Sequence, residues 1–215
     1  MRSSLGRQLI AGYALMACIL SGTAMESQAG DRFLTYPFAN DNQMWIQQSW
    51  TYTDGTAHKG MDFIRGTPDK SATWQSFNIK AAAPGIVDTV NTNPAASSWG
   101  NYVIIKHRKG DFNPPLSTDY FSVYAHLATV SAPAVGKVIT RGTTIGTAGK
   151  TGQANNVLHL HWEVHQTTKM NKIDPLGIYL TRDKYPRWPG YRSTNQLRST
   201  EDANTRFTTV PPSGS

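Results

Sequence analysis

Two stretches of the chain carry residues whose types and spacing can do chemistry: His159-Leu160-His161-Trp162-Glu163-Val164-His165 and, much earlier, His58-Lys59-Gly60-Met61-Asp62. In a β-strand, side chains two apart share a face. His159 and His161 then point together into a site while Leu160, Trp162 and Val164 face a core. The earlier stretch adds another imidazole and a carboxylate four positions on, and His126 follows in Tyr124-Ala125-His126-Leu127. Zinc is commonly held by three N and O ligands of this kind with one position left open for water, so these residues point to a hydrolytic zinc site.

Each motif alone has a plainer explanation. His58-x-Gly60-x-Asp62 reads as a turn entering a strand, His159-x-His161 as the exposed face of an edge strand, and His126 as a strand-end imidazole bonded to a carbonyl. Their conjunction at predicted strand ends, each beside glycine-rich turns, is what favours the metal.

The elements that must position these side chains are strands. From Asp62 to Leu180, short apolar or β-branched runs alternate with Gly, Pro and Asn, as in Ile86-Val87-Asp88-Thr89-Val90, Tyr102-Val103-Ile104-Ile105-Lys106 and Phe121-Ser122-Val123-Tyr124-Ala125. The pattern predicts a mainly β fold, an antiparallel sheet or sandwich with few short helices. Residues 55–181 form the expected domain. Residues 30–54, with Phe33, Tyr36, Phe38, Trp45, Trp50 and Tyr52, are expected to pack on it and wall one side of a groove. Residues 182–215 change to a polar, basic tail, expected to be partly disordered.

Residues 1–29 have the three parts of an export signal: Arg2 and Arg7, an apolar run from Leu9 to Leu20, and small residues ending at Ala29. An exported protein, periplasmic or extracellular, is the expectation, with no transmembrane segment in the mature chain. Cys18 is the only cysteine and lies inside this segment, so cleavage leaves no disulfide. In the competing reading Leu15-Met16-Ala17-Cys18 is a lipobox and Cys18 a lipidated first residue. Cleavage at Ala29 lowers the formal charge from +7 to +6. That balance favours polyanionic surroundings, which for an exported protein are anionic cell-wall polymers or lipid head groups. The absence of a basic helix or an Arg/Lys run with interleaved aromatics argues against nucleic acid.

Six landmarks in order, His58-Lys59-Gly60-Met61-Asp62-Phe63, Ala83-Pro84-Gly85-Ile86-Val87, Gly100 to His107, Tyr124-Ala125-His126-Leu127, Gly149-Lys150-Thr151-Gly152 and His159 to Val164, give the chain a family resemblance. Over roughly residues 55–180 it resembles the lysostaphin-type (LytM-like) zinc endopeptidases that cut peptides of bacterial cell walls. The resemblance implies a β-sheet groove holding one zinc ion per chain through His58, Asp62 and His161. It makes His126 and His159 the catalytic histidines, and peptidoglycan stem or cross-bridge peptides the substrate. One of the pair would take a proton from water and the other would donate to the oxyanion, and the sequence gives these roles to the pair rather than to either residue. Glu163 is expected either to orient a ligand imidazole or to lie with His165 on the surface.

The chain departs from the family pattern at Trp162, where many relatives have phenylalanine. It also has long spans at 64–80 and 108–120, which are expected to border the groove. A non-catalytic regulator of wall hydrolases is the competing function, because some relatives have lost their ligands. The intact set here argues against it. A biotinyl-type or lipoyl-type carrier barrel would need a lysine at a hairpin tip, which is missing.

Overall fold

The computed structural model describes residues 31–39, 43–48, 52, 56–67, 70–173 and 207–209. The expected signal segment 1–29, Cys18 and all of the tail 182–215 except 207–209 lie outside the described residues.

Among the described residues, thirteen strands run in the order β1 (Asp31–Leu34), β2 (Met44–Gln48), β3 (Met61–Arg65), β4 (Asn78–Lys80), β5 (Gly85–Asn91), β6 (Tyr102–His107), β7 (Tyr120–Ala125), β8 (Leu127–Val130), β9 (Val138–Ile139), β10 (Thr144–Ala148), β11 (Leu160–Gln166), β12 (Lys172–Ile173) and β13 (Phe207–Thr209). Short 3-10 turns at Ser71–Thr73 and Lys109–Asp111 are the helical elements among the described residues. The fold is mainly antiparallel β, as the alternating sequence predicts. None of its helices is long and apolar enough to cross a membrane, among the described residues.

The main sheet has eight strands in the order β2-β3-β11-β7-β6-β5-β9, with β12 pairing β11. Alternation sorts its side chains. Leu160, Trp162 and Val164 of β11, Tyr120 and Tyr124 of β7, and Val103 and Ile105 of β6 join one buried cluster with Ile79, Leu127 and Ile145 of the small sheet β4-β10-β8. The core therefore lies between the two sheets. Phe33, Leu34 and Phe38 enter the same cluster. Their segment is tied down where the Thr35 N–H donates to the Ala82 carbonyl at 2.9 Å and Arg141 donates to the Phe33 carbonyl at 2.7 Å.

The opposite face of the sheet carries His161, Glu163 and His165 beside a smaller cluster of Ile104, Phe121 and Val123. Register brings the candidate residues to one end of it. His161 stands opposite Asp62 of β3 on one side and Ala125 of β7 on the other. His126 follows directly after β7, and His159 bridges Gly149 just before β11.

Candidate metal centre

His58, Asp62 and His161 each offer one ligand atom, and these atoms lie within 4.8 Å of one another. Asp62 Oδ1 is the hub. His161 Nδ1 is 2.8 Å from it, His58 Nε2 3.3 Å and His159 Nε2 3.8 Å. Burial alone would raise the Asp62 carboxyl. The charges of His58 and His159 and hydrogen bonds from His161 and His58 overcome it and hold the group well below the usual carboxylate range. A buried oxygen on which imidazole nitrogens converge is a donor set suited to a cation.

His161 has a carboxylate on each side, with Nε2 donating to Glu163 Oε1 at 2.8 Å. Burial opposes a charged ring here, yet the bonds to Asp62 and Glu163 push its pKa up to about 9. The ring therefore presents nitrogens only to carboxylates, and a metal ion held at the cluster would take the place of the Nδ1 proton. Zinc fits these residues on donor chemistry as well as on spacing. Gly60 makes room for the arrangement, since a Cβ there would lie 2.6 Å from His161 Cε1.

His126 and His159 share an orientation. A carbonyl only accepts, so His126 Nδ1–H donates to Thr151 O at 2.8 Å and His159 Nδ1–H to Val157 O at 2.8 Å. These bonds leave Nε2 of each ring as the nitrogen not held by the backbone, and the ring centroids are 4.8 Å apart. Burial, reinforced by the charge of His159, lowers the His126 pKa to about 4, so its imidazole is neutral at pH 7. The backbone that presents His126 is strained, with φ at 62°. Three hydrogen bonds brace it: His126 N–H to Trp99 O (2.8 Å), Leu127 N–H to Asn101 O (3.0 Å) and Gln153 N–H to Ser98 O (2.8 Å). Gly100, at φ +64°, permits this close approach, since a Cβ there would sit 2.4 Å from Thr151.

All five expected residues line one open pocket of about 350 Å³, with Gln47, Gln48 and Tyr52 on one wall and Ser98, Trp99, Gln153, Ala154, Asn155 and Val157 on another. The Tyr52 ring lies 4.7 Å from that of His58. Sequence reasoning placed Tyr52 in a groove wall and missed its contact with a candidate ligand.

The spans 64–80 and 108–120 were expected to border the groove, and among the described residues neither lines the pocket. Strand direction is the reason. β3 runs away from the site after Asp62. The β6–β7 turn lies at the His107 and Tyr120 end of its strands, opposite His126. The connection between β5 and β6 emerges at the site end and supplies Ser98 and Trp99 instead. Glu163 and His165 are not surface residues, at 1% and 0% exposure.

Residues 56–175 match Peptidase family M23, and the chain belongs to that family. No curated protein matches the chain. Among solved structures it is similar to the SpoIIQ–SpoIIIAH pore-forming complex, at 18% identity and a TM-score of 0.52 over 67% of this chain and 89% of that one. The catalytic domain of the prophage-encoded M23 protein EnpA from Enterococcus faecalis is 19% identical at a TM-score of 0.47, over 64% of this chain and 95% of that one. The catalytic domain of lysostaphin from Staphylococcus simulans is 22% identical at a TM-score of 0.41, over 69% and 89%.

Proposed function

We propose that the protein is an exported zinc endopeptidase that hydrolyses peptide bonds in peptidoglycan stem peptides or cross-bridges. Residues 1–29 act as its export signal, 55–181 as its peptidase domain and 182–215 as a basic tail. The observation that carries this reading is the convergence of His58 Nε2, Asp62 Oδ1 and His161 Nδ1 in a pocket shared with His126 and His159.

His58, Asp62 and His161 hold the metal. When bound, zinc supplies Lewis-acid chemistry, making water acidic near neutral pH and polarising a carbonyl. Glu163 orients His161 by accepting its Nε2–H. His126 and His159, each fixed through Nδ1 to a carbonyl, use Nε2 to accept a proton from the attacking water and then to donate toward the oxyanion or the leaving amine. An extended peptide lies between the Tyr52 wall and the Trp99 wall.

The test is digestion of purified peptidoglycan by the zinc-loaded protein, followed by mass spectrometry. New amino termini within peptides are expected. Cleavage only between sugar and peptide would make the protein an amidase. No release from walls of several cross-link types would favour the non-catalytic regulator.

A further inference from the structure

Behind the His161 ring, on the side away from Asp62, β11 buries two polar side chains that no chemical step uses. Glu163 Oε1 accepts from His161 Nε2–H at 2.8 Å and from Lys172 Nζ at 2.8 Å. Glu163 Oε2 accepts from His165 Nε2–H at 2.6 Å. His165 is fully buried, and its Nδ1 has no hydrogen-bond partner. As a core filler this is a poor choice, because its own Nδ1 is left unpaired, a cost that an apolar side chain of similar size would not carry. Its one bond is what it contributes.

That bond has a geometric consequence. A carboxylate held through one oxygen can swing about its terminal torsion, whereas one held through both is fixed in plane. His165 occupies Oε2, and Lys172, its cross-strand partner in the β11–β12 register, occupies Oε1 from the other strand. The Glu163 oxygen facing His161 is thereby locked onto Nε2–H, which leaves Nδ1 as the nitrogen turned to Asp62 and His58.

We propose that His165 is a positioning residue: it clamps Glu163 so that Glu163 holds the His161 imidazole with Nδ1 facing the metal cluster. This rests on the zinc reading above. His165 is part of neither the cluster nor the pocket lining; its ring lies 6.4 Å from that of Trp99, and it reaches His161 through Glu163.

The test is the zinc affinity of the folded protein, measured by competition with a chromophoric chelator and so independent of peptidase activity. The cobalt-substituted visible spectrum serves as a second readout of ligand geometry. His165→Leu should weaken zinc by about 10- to 100-fold, the range for lost outer-sphere partners of a ligand histidine, and should alter the cobalt bands. His165→Gln, whose amide N–H reaches the same oxygen, should restore most of the affinity. Should His165→Leu fail to fold, His165→Asn, polar but too short to reach Glu163, replaces it with the same expectation. Parent-like affinity in His165→Leu or His165→Asn, or a loss in His165→Gln as large as in the leucine variant, would overturn the positioning role while leaving the zinc site standing. A parent protein that binds no zinc would overturn both.

Discussion

The two faces of one sheet bury two chains of polar side chains, and they treat histidine in opposite ways. On the groove face, His161 sits between the carboxylates of Asp62 and Glu163, and those bonds overcome burial to raise it to about 9. On the core face, His107 donates from Nδ1 to Pro84 O at 2.8 Å and pairs through Nε2 with Ser122 Oγ at 2.8 Å. Burial is the largest influence there. The carbonyl bond resists it weakly, and the His107 pKa falls to about 4. Burial is similar on both faces, and the difference lies in the acceptors. Where only dipoles are offered, the ring stays neutral and serves packing. Where carboxylates flank it, the ring sits in a place built for positive charge, which a metal can supply.

The hardest test of this division separates holding a metal from moving a proton. His161→Ala should remove most of the zinc and the activity together, and full zinc occupancy by elemental analysis would break the assignment. His126→Ala and His159→Ala should keep most of the zinc while lowering kcat by about 100-fold or more, the range for general acid–base or oxyanion groups. Near-parental turnover in either variant would remove that residue from the mechanism.

The core face makes its own prediction about acid. His107 takes up a proton more readily in the unfolded chain than when folded, since its folded pKa lies below its ordinary value of 6.5. The stabilisation is complete above pH 6.5 and is lost as pH falls toward 4. About 3 kcal/mol is at stake over that interval, from roughly 1.4 kcal/mol per pKa unit. His126, also near 4, acts with the same sign. Urea unfolding at pH 7 and pH 4.5 should show the loss, and His107→Gln should flatten it. A slope unchanged in His107→Gln would place the acid sensitivity elsewhere.

How much of this was legible in the sequence follows from the range of each interaction. The β11 alternation is local, so the split of His161 from Leu160 and Trp162 could be read from spacing alone. The meeting of His58 and Asp62 with His161 is non-local and was carried by the motif resemblance. Glu163 was legible only as an open choice, because its clamp needs Lys172 from β12, whose position depends on the turn between the strands. The loops were misplaced for a topological reason: spacing shows that a segment is long and says nothing of which end of the sheet it leaves from. His107 stood in a matched landmark, yet its role depends on Ser122 and on the Pro84 carbonyl, both distant in sequence.

The smallest expected effect also sharpens the contrast most directly. Tyr124 carries the core-face chain onward: its hydroxyl shares a hydrogen bond with Ser122 Oγ at 2.9 Å and accepts from the Ala82 N–H at 2.8 Å. Burial pushes its pKa up to about 12, so it remains a neutral phenol at any working pH. Tyr124→Phe keeps the ring in the core and deletes only the oxygen, leaving the buried Ala82 N–H without its acceptor. The cost should be roughly 1 to 2 kcal/mol, that of an orphaned buried donor. Because the hydroxyl lies on the far side of the sheet from the groove, zinc affinity should not change. His165→Leu should lose zinc affinity through Glu163, and because it leaves the buried Glu163 Oε2 without its donor it should lose stability as well. Measured side by side by chelator competition and urea unfolding, both variants should unfold more easily, and only His165→Leu should weaken zinc. If Tyr124→Phe weakened zinc as much as His165→Leu, the two faces would be coupled through β7 and β11, and the separation argued from their acceptors would fail.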